Sequence, residues 1–286
     1  MRIAVFTRYA PDPTTVELLV ESGRLDKERL LYKLGRADAT ALEQAVRLVE
    51  SAGGTVTAFC VAPPAADKIL KTLYAGGAQA LVRLWNSSYE EGANLTEMLQ
   101  AQLLANAIKG GHFDLLIGGA TGSEGNSDVL GPALAAYLDL PQIGNVVQLE
   151  QRGPTELYIE RKLERGEREA FSCPLPALLT IAEGSLEPRY PAMPAYLAAL
   201  RRPVEIRRAE TVFTKSGAVE VKSLSLTPPR PRPKKLPRPA DALLYFQRIE
   251  AILAVGGGEK KGTMFEGAPD EMAERIISFL VTNKLL

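Results

Sequence analysis

Over roughly the first 140 residues, short apolar and β-branched runs alternate with longer segments whose apolar positions recur at helical spacing. The short runs, residues 3–7, 56–61, 80–85 and 115–118, are predicted strands, and the longer segments between them are predicted helices. Strands that alternate with helices form a parallel sheet, and right-handed crossovers place the helices on both of its faces. The pattern therefore predicts a three-layer α/β/α fold with a mostly parallel, doubly wound sheet.

Three helices are predicted between these strands, and capping residues, glycines or prolines mark their ends. The first begins near Asp38, which we predict to cap it, and ends at Gly53 and Gly54. The second begins at two prolines and ends at two glycines, within residues 63–77. The third covers residues 95–108 and leads into the fourth strand.

The pattern changes in the next part of the chain. Residues 156–163 and 168–171 alternate polar and apolar positions, which predicts a β-hairpin, and residues 177–182 are predicted to form a buried strand. Three prolines within residues 187–194 exclude a regular helix or central strand and predict a stiff, exposed loop. A short helix at residues 195–200 is expected to follow.

The C-terminal part is predicted to form an extended arm. Residues 228–239, PPRPRPKKLPRP, have the composition of a polyproline-like linker, rich in proline and basic residues. An apolar run at 252–255 and an amphipathic helix from about Asp270 come next. We therefore predict an α/β domain of residues 1–210 and an arm of residues 211–286. The apolar face of its helix needs a surface to pack on, which is either this protein's own domain or, the alternative that we favour, another chain.

The charges of the chain balance. It has 34 Lys and Arg against 34 Asp and Glu, so no excess of positive charge favours nucleic acid or anionic lipid. Its apolar runs fall far short of the roughly 20 residues that span a bilayer. The first residues enter a strand pattern without a secretion signal. We therefore expect a cytoplasmic protein that neither binds nucleic acid nor inserts into a membrane.

Side chains that commonly carry out catalysis are scarce. The chain has one histidine, His112, and two cysteines, Cys60 and Cys173. Two cysteines make neither a metal site nor a disulfide framework, and no nucleophile or carboxylate can be assigned to His112. We predict no catalytic residue and no metal site, and we expect a cofactor to carry any chemistry.

A glycine-rich segment, residues 118–132, follows the fourth predicted strand and precedes a predicted helix at residues 133–138. Ligands of a doubly wound sheet bind at the carboxyl ends of strands, where the N–H groups of such a loop can surround a phosphate. The segment is therefore either a phosphate site or a flexible connection, and its composition leaves both open. A second glycine run covers residues 255–263. Its lysines precede its last glycine, whereas a P-loop has the glycine before the lysine, so we predict a turn.

Four segments resemble, in order, the motifs of one family. Residues 159–169, 174–180, 187–191 and 201–206 are similar to its V-x-R-x-x-E-G-G, L-P-A-hydrophobic-T, E-P-R-Y and K-K-x-I-E-V motifs. On these motifs, and over about residues 1–206, the chain resembles the β subunit of an electron transfer flavoprotein. The resemblance implies the adenine nucleotide alpha hydrolase-like form of the α/β fold.

Weaker similarities agree with this family. Residues 8–12 resemble its K-x-x-P-D segment, Asp38 with residues 41–45 resembles N-P-x-D-x-x-A-L-E-x-A, and residues 75–78 resemble A-x-G-A-D. Residues 119–132 take the place of the family's adenine-nucleotide loop. The phosphate interpretation of the glycine-rich segment is strengthened by this position.

The chain also departs from the family pattern. Residues 123–127 are Ser-Glu-Gly-Asn-Ser instead of Ile-Asp-Gly-Asp-Thr, Val129 replaces a glutamine, and residues 35–37 replace Asn-Pro-aromatic. The backbone of the loop and the hydroxyl of Ser127 are still able to hold phosphate. The departures leave the identity of the nucleotide open.

The resemblance implies FAD shared with an α subunit that holds most of it, and AMP at the strand ends of this chain. In electron-bifurcating members a second FAD takes the place of AMP. The implied cofactor-binding residues are Phe6, Gly35, Arg36, Ala37, Asp38, Val61, Gly119, Ala120, Thr121, Gly122, Ser123, Glu124, Gly125, Asn126, Ser127, Asp128, Val129 and Leu130.

The resemblance further implies a recognition loop at residues 184–200, with Tyr190, Pro191, Met193 and Pro194 as partner-binding residues. The implied partners are the α subunit, a flavoprotein dehydrogenase such as an acyl-CoA dehydrogenase, and a downstream quinone-linked or other redox acceptor. The implied function is that of a heterodimeric electron carrier. Two alternatives stay open: an electron-bifurcating member with a second FAD, and a stand-alone adenine-nucleotide-binding regulatory protein.

Overall fold

A computed structural model of the chain describes residues 1–15, 18–19, 24–25, 29–86, 96–122, 129–153, 155–208 and 267–282. Its strands are β1 (Arg2–Thr7), β2 (Tyr9–Pro11), β3 (Leu18–Leu19), β4 (Arg24–Leu25), β5 (Tyr32–Leu34), β6 (Thr55–Val61), β7 (Ala80–Trp85), β8 (Leu115–Gly119), β9 (Gln142–Gln151), β10 (Glu156–Lys162), β11 (Arg168–Pro174), β12 (Ala177–Ile181) and β13 (Glu205–Arg208).

The helices are α1 (Arg36–Ala52), α2 (Asp67–Leu70), α3 (Thr72–Ala75), α4 (Glu97–Ile108), α5 (Leu130–Leu138), α6 (Met193–Arg201) and α7 (Pro269–Thr282). Short 3₁₀ turns lie at Pro13–Thr15, Pro64–Ala66 and Glu164–Gly166. Nine of the strands form one sheet in the order β11-β10-β9-β12-β8-β1-β6-β7-β13, and the others form two small ribbons.

Parallel pairing dominates this sheet. Strand β1 pairs parallel with β6 and β8, and β12 pairs parallel with β8 and β9. Strand β7 is parallel to both β6 and β13, whereas β10 is antiparallel to β9 and β11. The predicted mostly parallel sheet and its four predicted strands in the first half of the chain are confirmed.

Helices cover both faces of the sheet. Helix α1 packs on β1, β8 and β12, and helices α4 and α5 pack together on the other face. The alternation along β1 divides the core, because Ile3 and Val5 join the apolar cluster of α1 whereas Ala4 and Phe6 join that of α4 and α5. Burial on both faces is why the central strands are continuous apolar runs. The predicted three-layer α/β/α architecture is confirmed.

Two strands of the sheet were not predicted. Strand β9 is only partly buried along most of its length, and all four residues of β13 are exposed. Apolar periodicity reports burial, so strands that bury few side chains give a weak signal. Their pairing with β12 and β7 is made by backbone hydrogen bonds, to which any sequence without proline can contribute.

The chain divides into two compact units, Met1–Pro228 and Pro229–Leu286. In the second unit the structure describes helix α7, which exposes Ile276, Ile277, Phe279 and Val281 and confirms the predicted helix near Asp270. The predicted linker at 228–239 and the apolar run at 252–255 lie outside the described residues. The division at residue 210 therefore stays a prediction. In the part of the chain that the structure describes, no helix has the length and apolar content to cross a bilayer.

Candidate functional site

The carboxyl ends of three central strands meet at one edge of the sheet. Phe6 of β1 is in register with both Phe59 of β6 and Gly118 of β8, so these strands end side by side. The N-terminus of α1 reaches the same edge. In doubly wound sheets this is the edge at which ligands bind.

The carboxylate of Asp38 connects the first turn of α1 to two of these strand ends. Its Oδ2 atom accepts a hydrogen bond from the backbone N–H of Arg8 at 2.8 Å, and its Oδ1 atom accepts one from the backbone N–H of Gly119 at 3.1 Å. The Arg8 guanidinium lies against the same carboxylate, with Nη2 3.0 Å from Oδ1. Nη2 also donates to the backbone carbonyl of Gly119 at 2.6 Å.

This network corrects the predicted capping role of Asp38. The residue before α1 is Gly35, which makes no side-chain cap, and Asp38 lies within the first helical turn. The Asp38 side chain is 1% exposed and Arg8 is 7% exposed as a residue. A buried carboxylate needs hydrogen bonds and a counter-charge, and both come from the strand ends instead of the helix backbone.

Two glycines permit the close packing at the end of β8. A Cβ atom on Gly119 would lie 2.4 Å from Asp38 Oδ1 and 2.7 Å from the backbone nitrogen of the same residue. A Cβ atom on Gly118 would lie 2.1 Å from Cε2 of Phe6. All three distances are shorter than any non-bonded carbon contact, so glycine is required where α1 and the Phe6 ring approach β8.

The structure places most of the predicted cofactor-binding residues at this edge, with different degrees of access. The side chains of Phe6 and Leu130 are buried in the core below it, at 0% and 1% exposed. Such residues shape the floor of the site but do not present their side chains to a ligand. Thr121 and Gly122 are half-buried. The other buried members of the set are Gly35, Ala37, Asp38, Val61, Gly119 and Ala120.

The centre of the glycine-rich loop lies outside the described residues. This concerns Ser123, Glu124, Gly125, Asn126, Ser127 and Asp128. The described residues stop at Gly122, three residues after the end of β8, and resume at Val129, which directly precedes α5 and is 46% exposed. The role of the six residues between them in holding phosphate stays a prediction.

Arg36 is the accessible charged residue at the start of α1. Its side chain is 84% exposed, and its Nε atom lies 3.5 Å from Oε1 of Glu183, which follows β12. An exposed ion pair of this length contributes little to stability. The Arg36 guanidinium is therefore available to a negatively charged ligand at the helix N-terminus.

Two buried arginines at this end of the sheet were not singled out from the sequence. Arg8 follows β1, and Arg83 in β7 is 3% exposed. Nε of Arg83 lies 2.6 Å from Oδ1 of Asp67 in the first turn of α2. Arg83 lies within the apolar run of β7, and this was the signal available for it, because a charged residue that is buried there needs a partner. Arg8 follows its strand, where a charged residue is normally solvated, and gave no such signal.

The cysteines do not supply reactive thiolates. Cys60 is fully buried in β6, and burial raises the pKa of its thiol to about 12. Burial also raises the pKa of the Cys173 thiol, which is 3% exposed. Within the described ranges, no group of His, Cys, Asp and Glu side chains could hold a metal ion.

The predicted partner-binding residues lie apart from the strand-end site, in and after the proline-rich loop. Tyr190 is 96% exposed and Met193 is 65% exposed, and Pro194 is also exposed whereas Pro191 is half-buried. Met193 begins α6, two residues before the predicted start, because Pro194 is tolerated in a first helical turn. The loop thus presents two large apolar side chains to solvent.

The residues at the start of α1 fit a phosphate group. Gly35 and Ala37 are small, so their own side chains leave the backbone at the start of α1 uncovered. The N-terminus of α1 supplies N–H donors and the positive end of a helix of 17 residues. These features suit a ligand with one phosphate or two.

Comparisons with known proteins agree on one family. Residues 23–212 match the electron transfer flavoprotein domain. The electron transfer flavoprotein subunit beta of Bacillus subtilis is 29% identical over 268 residues, which is 93% of each chain.

Two further subunits beta are similar over a shorter length. That of Thermoanaerobacterium thermosaccharolyticum is 31% identical over 68% of this chain and 72% of its own, and that of Methylophilus methylotrophus is 29% identical over 63% and 69%. The family match covers most of the strand-end site and the proline-rich loop, and the motif resemblance found in the sequence is confirmed. The chain belongs to the β-subunit family of the electron transfer flavoproteins.

Proposed function

We propose that this chain is the β subunit of a heterodimeric electron transfer flavoprotein. In this role it binds an α subunit that holds most of the FAD, and the pair carries electrons from a flavoprotein dehydrogenase to a downstream acceptor. The observation that carries the proposal is the near full-length similarity to subunits beta of this family. FAD supplies the redox chemistry when it is bound, which agrees with the buried, protonated thiols of this chain.

The strand-end site is proposed to hold AMP. Backbone N–H groups at the start of α1 would bind its phosphate, and the small residues Gly35 and Ala37 leave room for the approach. The N–H groups of Gly119 and Ala120 at the end of β8 already donate to Asp38 Oδ1 and to the backbone carbonyl of Ile181. The buried contacts of Asp38 with Arg8 and Gly119 hold these two backbone segments together. Their role is therefore to position the site rather than to contact the nucleotide.

The exposed side chains of Tyr190 and Met193 are proposed to dock onto the dehydrogenase, for which an acyl-CoA dehydrogenase is one candidate. A thioether is flexible and polarizable, so Met193 can adapt to more than one partner surface. Prolines around it reduce the entropy that the loop loses when it is bound. The acceptor is proposed to be quinone-linked or another redox protein.

One observation favours a second candidate, an electron-bifurcating member in which the strand-end site holds a second FAD. Arg36 replaces the proline of the family motif, and its exposed guanidinium adds a cation beside the N-terminus of α1. The pyrophosphate of FAD carries one more phosphate than AMP, so it gains more from this cation.

Co-expression with the electron transfer flavoprotein α subunit of the same organism tests these proposals. We expect a yellow 1:1 complex that native mass spectrometry and nucleotide analysis resolve into one FAD and one AMP. Two FAD molecules for each complex would favour the bifurcating candidate. A colourless chain that binds an adenine nucleotide and ignores the α subunit would overturn both and favour the stand-alone regulator.

A further inference from the structure

The proline-rich loop is fastened to helix α1 by one of its own residues. The backbone N–H and the Nε atom of Arg189 both donate to Oε2 of Glu43, at 3.1 Å and 2.7 Å. Nη2 of Arg189 donates to Oε1 of the same carboxylate at 3.2 Å. Main chain and side chain of one loop residue are thus bound by a single carboxylate.

A second carboxylate completes the arrangement. Nη1 of Arg189 donates to Oε1 of Glu50 at 2.6 Å, and Nη2 donates to Oε2 at 2.9 Å. Glu43 and Glu50 are seven residues apart in α1, which puts them two turns apart on one face. All three guanidinium nitrogens are used, a geometry that the single ammonium of lysine cannot reproduce. We call Arg189, Glu43 and Glu50 the loop anchor.

The environment of Glu43 makes the loop anchor stronger than an ordinary surface ion pair. Its side chain is 2% exposed, and Arg47 donates from Nε to its Oε1 atom at 2.7 Å. Burial by itself raises the pKa of Glu43, but the hydrogen bonds from Arg189 and Arg47 lower it below its ordinary value. A buried carboxylate holds its partners more firmly than an exposed one, because water competes less for the hydrogen bonds.

The loop anchor acts next to the exposed apolar side chains. Tyr190 follows Arg189 directly, and Met193 lies three residues further at the start of α6. Within the described part of the chain, the hydrogen bonds that join residues 187–191 to the rest of the domain are those of Arg189. The direction of the Tyr190 backbone therefore depends on this contact with α1.

We propose that Arg189 is a positioning residue, which acts through Glu43 and Glu50 to fix the direction in which Tyr190 and Met193 are presented to a redox partner. The inference rests on the proposed docking function of the loop. Helix α1, which also contributes to the strand-end site, then determines the geometry of the docking surface. Arg189 affects docking without touching the partner.

The test uses the heterodimer with its α subunit and an acyl-CoA dehydrogenase, reduced by its acyl-CoA, as the electron donor. Steady-state electron delivery gives the KM for the heterodimer and the kcat. The variants are Arg189→Ala, Glu50→Ala, the double variant and Met193→Glu, with Arg189→Lys as the conservative substitution. Hydrogen exchange of the peptide covering residues 185–193 reports the loop without a partner.

We expect Arg189→Ala to raise KM about tenfold with kcat little changed, and to speed exchange of this peptide about tenfold. Glu50→Ala should give a smaller change in the same direction. Because Arg189 acts through Glu50, the double variant should be no worse than Arg189→Ala. Arg189→Lys should recover only part of the loss, since it cannot bridge two carboxylates.

Other results would overturn the inference. If Arg189→Ala raises KM but leaves exchange of the peptide covering residues 185–193 unchanged, Arg189 acts directly on the partner. If Arg189→Ala speeds exchange while KM is kept and Met193→Glu impairs delivery, the loop docks but the anchor does not position it. If Met193→Glu leaves KM unchanged, the docking function of the loop itself fails, and the positioning role fails with it.

Discussion

The Oδ1 atom of Asp38 accepts a hydrogen bond from the backbone N–H of Gly119 at 3.1 Å, although 81 residues separate them in the chain. One residue lies in the first turn of helix α1 and the other ends strand β8. This contact joins the two backbone segments that border the proposed nucleotide site. The contact also explains why residue 119 is a glycine, because the Asp38 carboxylate occupies the space that a side chain at this position would need.

The first prediction concerns the charge of Asp38. Asp38→Asn removes the buried counter-charge of Arg8 and replaces one acceptor oxygen by a donor, so we expect the free energy of unfolding to fall by about 3 kcal/mol. Urea denaturation of the heterodimer measures it. Asp139→Asn is the matched control, because Asp139 is exposed at a left-handed position that asparagine also adopts. Equal stability of the two variants would contradict the role of Asp38.

The second prediction concerns the close approach of α1 to β8. Gly119→Ala puts a methyl group 2.4 Å from Asp38 Oδ1, and backbone lies within 2.8 Å, so the two segments must separate. We expect a loss of about 2 to 3 kcal/mol in the free energy of unfolding, together with weaker nucleotide binding measured by calorimetry.

Gly110→Ala is the control for this substitution, because a Cβ atom there meets nothing within 4 Å. It should change stability by no more than about 0.5 kcal/mol. If Gly119→Ala binds nucleotide as tightly as the parent protein, the close approach of α1 to β8 is not needed for binding, and the prediction is wrong.

The third prediction concerns Cys60. Folding raises the pKa of its thiol from 9.0 to about 12, because the residue is buried. We expect no labelling by iodoacetamide at pH 8 in the folded protein and rapid labelling in urea, with peptide mass spectrometry as the readout. The folded state binds this proton more tightly, so the contribution to stability is present below pH 9 and is lost as pH rises toward 12. Rapid labelling of the folded protein would contradict the burial.

The fourth prediction concerns an exposed turn. The Lys33 ammonium donates to Oδ1 of Asp12 at 2.8 Å, and with hydrogen bonds from Thr14 it lowers the pKa of Asp12 from 3.8 to about 2. The folded pKa lies below the unfolded one, so the turn is favoured above pH 3.8 and loses this support as pH falls toward 2.

Carboxyl chemical shifts in an NMR titration measure this pKa. Lys33→Met should move the pKa of Asp12 upward toward its ordinary value, while Lys109→Met, at an exposed helix end far along the chain, should leave it in place. If both variants titrate alike, the ion pair does not form in solution.

The central strands and the main helices were predictable because their apolar patterns follow directly from burial. Strand β1 is a continuous apolar run since both of its faces are covered, and helix α1 ends at a glycine with a positive φ, Gly53. Strand β13 was missed because its four exposed residues carry no apolar pattern. Arg8 was missed for the opposite reason, since a charged residue after a strand is normally solvated.

The sequence by itself determined the fold class, the strand-end position of the glycine-rich loop, the exposed proline-rich loop and the membership of the family. These follow from local patterns of apolar residues, glycine, proline and short motifs. Only the tertiary structure decided that Asp38 joins α1 to Arg8 and Gly119, and that Arg189 lies between Glu43 and Glu50. These partners are 30 to 146 residues apart in the chain, so no local pattern in the sequence identifies them. Buried charges are brought together by the folding of the whole chain and not by local conformation.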